Sequence, residues 1–384
     1  MEALIAGWVG LLPEAAALPN SRTHVVARGI MSRSSSDTVC VALIGAGFIA
    51  DYHVGGLRAA GGAEIAALVG RRREAAEARA AALGIPSVEV DYRAVLDDPA
   101  IDAVVIASPD NTHERIAVDA LAAGKAVLLQ KPMALDSAQC RAILAAASQA
   151  SAPLSVSFMH RYFPEVLWLR ELLGSGRLGR IHSLRLRNAT PGADWADWFF
   201  RPGEVSGGVV MQLGVHGIDL CRHLFGEIDD VAARARTARP ERRLADGRTV
   251  RTELEDTVAA SYGLSDGAIA SHEMSYTERA GCDRFRLELY SDAGTVFLRT
   301  ERGPAALFAP DLTGETDWVT PPLLDAPLGQ AHHRHWLDVV RGLAPADGTA
   351  EAGLRSVEIA EAIYQAARTG QRVPATPTAP MERR

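Results

Sequence analysis

Two side chains of this 384-residue chain stand where proton chemistry is expected. Lys131 ends the apolar run Val127-Leu128-Leu129 and lies between Gln130 and Pro132. Strands usually finish in turn formers such as Gly, Asn or Asp, so a lysine there has another reason. At the carboxyl end of a parallel strand it faces the ligand crevice. Partial desolvation lowers an ammonium's pKa and makes it a usable acid or base. Pro132 fixes the backbone just beyond, and the Lys131–Pro132 bond is a candidate cis peptide. The second residue is His216, in "GGVVMQLGVHGID". Gln212 precedes it by four positions, a spacing that puts both side chains on one helix face. An imidazole exchanges a proton near neutrality; an amide only donates and accepts hydrogen bonds. His216 is thus a candidate proton carrier or a core histidine, and Gln212 can hold a hydroxyl only by hydrogen bonds. Asp219, one turn further, reads as orienting structure.

A third constellation binds rather than reacts. "GAGFIA" gives Gly45, Gly47 and Ala50 in a G-x-G-x-x-A pattern, with Phe48 and Ile49 inside it. The first glycine permits a tight turn, the second lets backbone approach a pyrophosphate, and Ala50 lets helix and strand pack closely. The following helix N-terminus supplies N–H groups and a favourable dipole for the phosphates. At the end of the second strand NAD enzymes carry an acid for the ribose 2′-hydroxyl. Here Gly70 is followed by Arg71, Arg72 and Arg73. A small residue with arginines favours the 2′-phosphate of NADP, with NAD as the alternative.

These groups need a frame, and the sequence supplies one. Apolar, β-branched runs at 39–44, 64–70, 87–91, 101–109 and 125–130 alternate with helical stretches to about 60, at 73–84, 112–124 and 136–150. Thr112 is the expected N-cap of the third helix. Alternation of this kind predicts βαβ units and a parallel, doubly wound sheet over 38–156. Beyond it, a helix at 164–175 leads into six segments between 181 and 300, several with period two. They predict an antiparallel sheet with one covered face. A helix at 207–226 interrupts them, and helices near 331–342 and 350–369 finish a second domain over 157–376. Residues 1–37 read as an extension without ordered structure, and 377–384 as a tail.

Composition narrows the partners. A net charge of −7 without basic blocks argues against nucleic acid. No apolar run is long enough to span a membrane. The start, "MEALIAGWVG", has Glu2 where a signal peptide has basic residues, so no export is expected. Cys40, Cys140, Cys221 and Cys282 lie far apart and suggest neither disulfides nor zinc. Reduced thiols fit the cytoplasm. "HHRH" at 332–335 lacks acids at ligand spacing and reads as a helix start, so no metal is expected.

Together "GAGFIA", "DAVVIASPDNTH", "AAGKAVLLQKP", "GGVVMQLGVHGID" and "GLRSVEIAEAIYQAARTG" resemble the Gfo/Idh/MocA family of sugar and cyclitol oxidoreductases, over nearly all of residues 38–375. The resemblance implies a Rossmann domain followed by an α/β domain with a large, open, mostly antiparallel sheet, whose outer face makes dimers or tetramers. It implies that Lys131 reaches the substrate hydroxyl beside the nicotinamide and that His216 is the catalytic histidine. It places Pro109, Asp110 and His113 beside the cofactor, with Gln130. Arg161 is a candidate contact to substrate or cofactor, or an ion pair between domains. Trp195 and Trp198 are candidates for stacking on a sugar face, or core. Two departures stand out: Gln130 replaces the glutamate of Glu-Lys-Pro, and Gln212 replaces the aspartate four residues before the histidine. The expected activity is hydride transfer between NAD(P) and a secondary alcohol of a sugar, glycoside or cyclitol. A cofactor-binding sensor without turnover, a dihydrodiol dehydrogenase and an imine reductase are the alternatives.

Overall fold

The computed structural model describes residues 38–280, 284–300 and 305–375; the expected extension over 1–37 and the tail from 377 lie outside them. The first described unit alternates strand and helix: β1 (Val39–Ile44), α1 (Ile49–Ala60), β2 (Ala63–Val69), α2 (Arg73–Leu83), β3 (Ser87–Glu89), α3 (Tyr92–Asp97), β4 (Ala103–Ile106), α4 (His113–Ala122), β5 (Ala126–Leu129), α5 (Ser137–Gln149) and β6 (Leu154–Val156). The strands form a parallel sheet in the order β3-β2-β1-β4-β5-β6. Strands β4 and β5 are buried at every position, as continuous apolar runs are when helices cover both sheet faces. The strand order reverses beside β1, between β1 and β4, which is where a doubly wound sheet opens a crevice.

Two short elements, α3 and β6, carry too few residues to show a period, and the sequence pattern does not reveal them. Thr112 occupies the position before α4 but does not cap it. Its hydroxyl donates to the Pro109 carbonyl at 2.7 Å and lies 2.6 Å from the Ser108 hydroxyl, so it braces the preceding loop instead.

The second unit contains α6 (Pro164–Gly174), β7 (Ile181–Ala189), α7 (Val215–Phe225), β8 (Ile228–Arg236), the small ribbon β9 (Glu241–Arg243) and β10 (Thr249–Arg251), β11 (Thr257–Leu264), β12 (Ile269–Ser275), β13 (Phe285–Ser291), β14 (Thr295–Arg299), β15 (Ala306–Phe308), α8 (Pro310–Thr313), α9 (Gln330–Val340), α10 (Thr349–Thr369) and β16 (Val373–Pro374). The large sheet runs β15-β14-β13-β7-β12-β11-β8-β16, antiparallel except for the β7–β12 pair. Burial alternates along β12, so one face is covered and the other is open. Helix α7 lies on the covered face. Its approach is close because Gly217 has no side chain: a Cβ there would stand 2.1 Å from Asn188 Oδ1. Beneath Gly217 runs a buried chain in which Tyr262 Oη donates to His272 Nδ1 and His272 Nε2 donates to Asn188 Oδ1, each at 2.8 Å.

The end of the chain packs across the expected boundary at residue 156. Trp336 and Leu337 of α9 are buried in the same apolar cluster as Val41, Leu43, Leu57 and Val105, so α9 closes the outside of the first sheet. Helix α10 contacts α5, β6 and β8 and so touches both units.

Gly217→Ala is expected to destabilise the fold by about 1–3 kcal/mol, the cost of overpacking a filled site. Equilibrium urea unfolding checks this; a variant as stable as the parent would show that α7 can lift off the sheet at no cost.

Candidate active site

A cavity of about 650 Å³ opens between the two sheets. Its floor on the first unit is Gly47, Phe48, Ile49, Ser108, Asp110, His113, Gln130 and Lys131. The facing wall comes from His160, Trp195, Trp198, Gln212, His216, Tyr276 and Arg284. Most candidates from the sequence therefore meet in one place.

The glycine turn fits a dinucleotide. Gly45 has φ +122°, and a Cβ there would lie 2.3 Å from the Ala107 carbonyl oxygen, so only glycine fits the turn between β1 and α1 beside the end of β4. A Cβ on Gly47 would meet nothing within 4 Å, which leaves backbone open to a ligand. Helix α1 begins without a side-chain cap. The acid in its first turn, Asp51, is ion-paired to Arg79, so it does not oppose an anion there. Ala50 is fully buried and serves packing. His113 ties the floor together: its ring nitrogens stand 3.0 Å from the carbonyl oxygens of Pro132 and Ser108. Pro109 shapes that loop without lining the cavity, and Arg71 and Arg72 are exposed at the start of α2, outside the wall. Gly70 has a packing reason of its own, since a Cβ there would come within 2.7 Å of Ala76 Cβ.

Lys131 lies just beyond β5, separated from it by Gln130, and its bond to Pro132 is cis. Its Nζ donates to the backbone carbonyl of Gln212 at 2.7 Å, across the gap between the units. Burial pulls its pKa down to about 8; Asp110 pushes it back up and Arg284 pulls it down further. Gln212 sits in a π-helical turn, Val210–Gly214, that precedes α7 rather than in regular α-helix. Turns of this kind are frequent at functional sites, and this one keeps both Gln212 and His216 on the cavity. The turn is held from outside by Glu255. Its carboxylate accepts from Gly208 N–H at 3.1 Å, Val210 N–H at 3.0 Å and Tyr364 Oη at 2.9 Å. Free N–H groups at a helix start need such partners.

His216 is buried, and burial with neighbouring His160 and Lys131 holds it well below the ordinary imidazole range. His160 stacks on it, with ring centroids 4.0 Å apart and planes 7° from parallel. His160 stands beside Arg161 in "HRYFP" but gave no sequence signal, because nothing in spacing pairs it with a residue on α7. Tyr276, Arg284 and Glu255 were equally silent, each being brought in by the second sheet.

Two expected contacts are placed differently. Arg161 does not line the cavity: its Nε and Nη2 pair with both oxygens of buried Asp219 at 2.7 and 2.5 Å. The orienting role read for Asp219 is this ion pair. Gln130 turns its amide away from the crevice, donating to His53 Nε2 at 2.6 Å and to Ser157 Oγ at 3.2 Å. His53 Nδ1 in turn meets His333 Nε2 at 2.9 Å, and His333 Nδ1 meets the Gly329 carbonyl at 2.8 Å. A carbonyl only accepts, so His333 carries its proton on Nδ1, His53 on Nδ1, and the bare His53 Nε2 takes the Gln130 amide. The "HHRH" cluster is thus partly spent on this chain, and no group of metal-binding residues forms among the described residues. Trp195 is half exposed and tilts against Phe48, centroids 4.4 Å apart, so it bridges the two units at the cavity mouth.

A glycine-floored crevice at the switch point of a Rossmann sheet, faced by a lysine and a histidine, is the site of a nicotinamide-dependent oxidoreductase. The chain belongs to the Gfo/Idh/MocA family: residues 39–158 match its oxidoreductase model with NAD-binding Rossmann fold, and 166–297 its C-terminal domain. Inositol 2-dehydrogenase 2 of Saccharopolyspora erythraea is 32% identical over 68% of this chain and 73% of its own. Inositol 2-dehydrogenase of Rhizobium meliloti is 30% identical over 75% and 82%. Among solved structures, levoglucosan dehydrogenase in complex with NADH and L-sorbose shares the fold, with a TM-score of 0.81 at 23% identity over 88% of this chain and 99% of that one.

The hydrogen-bonded chain explains why an amide stands where the family motif has glutamate. Gln130→Glu would set an acceptor against the bare His53 Nε2, and only an added proton would repair it. The folded state would then bind that proton more tightly than the unfolded chain, so the stability it restores is lost as pH rises. The variant is expected to lose about 1–3 kcal/mol at pH 8 and less at pH 6, measured by urea unfolding at both. An equal loss at the two pH values would contradict the assigned direction of the chain.

Proposed function

We propose that the protein interconverts a secondary alcohol of a cyclitol, sugar or glycoside with its ketone, using NADP in preference to NAD. The observation that carries this reading is Lys131 and His216 on one apolar-walled cavity above the open Gly47 turn. The inositol dehydrogenases among its relatives support the substrate class. When bound on Gly47, Phe48 and Ile49, the nicotinamide cofactor supplies the hydride acceptor or donor. The chain's own part is positioning and proton handling. With its pKa near 8, the Lys131 amine can take the hydroxyl proton in oxidation and return it to the carbonyl oxygen in reduction. His216, held neutral by burial, can donate to the same oxygen from Nε2 or Nδ1 and orient it. Trp195, Trp198 and Tyr276 provide flat surfaces for the C–H faces of a ring. Arg71 and Arg72, exposed at the start of α2, are the proposed holders of a 2′-phosphate. A cytoplasmic homodimer or homotetramer, joined through the open face of the large sheet, completes the reading.

Lys131→Ala is expected to lower kcat for polyol oxidation by roughly 10²–10⁴-fold or beyond detection while leaving cofactor affinity within a few-fold. His216→Ala should lose rate in the same range. In the parent, kcat for oxidation should rise with pH through about 8 as Lys131 loses its proton, and kcat for ketone reduction should fall there. Rates within a few-fold of the parent in Lys131→Ala would remove the lysine from the mechanism. In nucleotide-fluorescence titrations NADPH should bind more tightly than NADH, and Arg71→Ala/Arg72→Ala should weaken NADPH alone. Unchanged NADPH affinity in that variant would return the preference to NAD.

A further inference from the structure

Both positions at which the family carries a carboxylate near the catalytic lysine are amides here, Gln130 and Gln212. The cavity nevertheless contains a buried carboxylate, on the opposite side from the helix. Asp110 follows β4 in the loop before α4, is 5% exposed and lines the cavity with Lys131 and His216. Its Oδ2 accepts three donors: the Gln212 amide Nε2 at 2.6 Å, the Ser206 hydroxyl at 2.8 Å and the Ser206 N–H at 3.1 Å. Its Oδ1 takes no hydrogen bond from any described residue. A loop carboxylate on the cavity lining, held by one oxygen through three hydrogen bonds, is a positioned group.

Gln212 connects it to the lysine. The same residue donates from its side chain to Asp110 and accepts Lys131 Nζ on its backbone carbonyl at 2.7 Å. One glutamine thus bonds to both Lys131 and Asp110, two groups that act on each other electrostatically. We propose that Asp110 supplies, from the dinucleotide-binding side, the carboxylate that relatives place on the helix at the position of Gln212, and that Gln212 is the positioning residue which aims it. This deepens the dehydrogenase reading and rests on it. An amide at 212 then follows from chemistry. A second carboxylate 2.6 Å from Asp110 Oδ2 would repel it, whereas an amide N–H bonds it.

The consequence is electrostatic. When the substrate O–H bond breaks and its proton passes to the lone pair of Lys131 Nζ, the new ammonium acquires Asp110 as its counter-charge. The groups facing Lys131 are Asp110 from the β4 loop, Arg284 at the start of β13, His160 after β6 and His216 on α7. Asp110 is the one anion among them, and it acts against burial and Arg284 to keep the lysine from falling further below its ordinary range.

The test is an exchange of acid and amide. Asp110→Asn should lower kcat for oxidation at least tenfold and move the rise of its pH profile to lower pH, with NADPH affinity unchanged. Asp110→Asn/Gln212→Asp puts the acid back on the helix and should recover most of the lost rate and restore the midpoint. Gln212→Asp alone should behave worse than the double variant. If Asp110 instead served the cofactor, Asp110→Asn would weaken NADPH and the exchange would recover nothing, which overturns the proposal. A lysine ¹³Cε titration of Lys131 by NMR, assigned with Lys131→Ala, decides the matter without turnover. A midpoint that drops in Asp110→Asn and returns in the double variant upholds the pair even if no cyclitol or sugar is oxidised, in which case the dehydrogenase reading alone falls. A midpoint unmoved by Asp110→Asn overturns the pair, whatever the parent oxidises.

Discussion

The bond from Lys131 Nζ to the Gln212 carbonyl joins a strand end of one unit to a helix turn of the other, and the geometry of the cavity depends on it. A lysine amine is strongly hydrated and gives up water only where polar partners replace it. Here one backbone oxygen does so, with the Asp110 carboxylate acting on it through space, while stacked imidazoles and aromatic rings line the cavity around it. The amine is consequently poised near neutrality instead of being fixed as a cation. Everything beneath that bond keeps it in place. Glu255 pins the π-helical turn that offers the carbonyl, Gly217 lets α7 settle onto the sheet, and His113 ties the loop after Lys131 to the end of β4.

Much of this was legible in the sequence. The buried strands of a parallel sheet are continuous apolar runs, and a glycine turn after the first of them is a strong local signal, so the first unit and Gly45, Gly47, Lys131 and His216 could be read directly. Period-two strands also marked the second sheet. What remained hidden depends on contacts between distant segments. His160 meets His216 only because β6 and α7 end beside one another, and Glu255 caps a helix start more than forty residues upstream. Arg161 reads equally well as a ligand contact or an ion pair until Asp219 is seen to fill both arms of its guanidinium. The histidine pair at 332 and 333 suggests a metal by composition, and becomes a hydrogen-bond chain only once α9 is laid against α1.

Two departures from the family pattern belong to two different local problems. At position 130 the amide completes a chain of neutral histidines whose direction is set by the Gly329 carbonyl. At position 212 it faces a carboxylate held otherwise by Ser206 among the described residues. Neither glutamine is a passive substitute for an acid. Each is the neutral donor that its surroundings require, since a buried acceptor facing an acceptor is costly.

The path of the chain's last third has a consequence for how the molecule is assembled. Trp336 and Leu337 of α9 fill the groove over α1, β1 and β4, so the nucleotide-binding sheet is roofed by residues nearly two hundred positions beyond its last strand. During synthesis that sheet emerges with one apolar flank bare and stays so until α9 arrives. A fragment ending after β6 would present the same flank permanently and would be expected to stick to itself rather than to stand as an independent domain. The two units are therefore separate in sheet architecture but not in their history. The crevice that takes the dinucleotide becomes a finished surface only when the whole polypeptide is present.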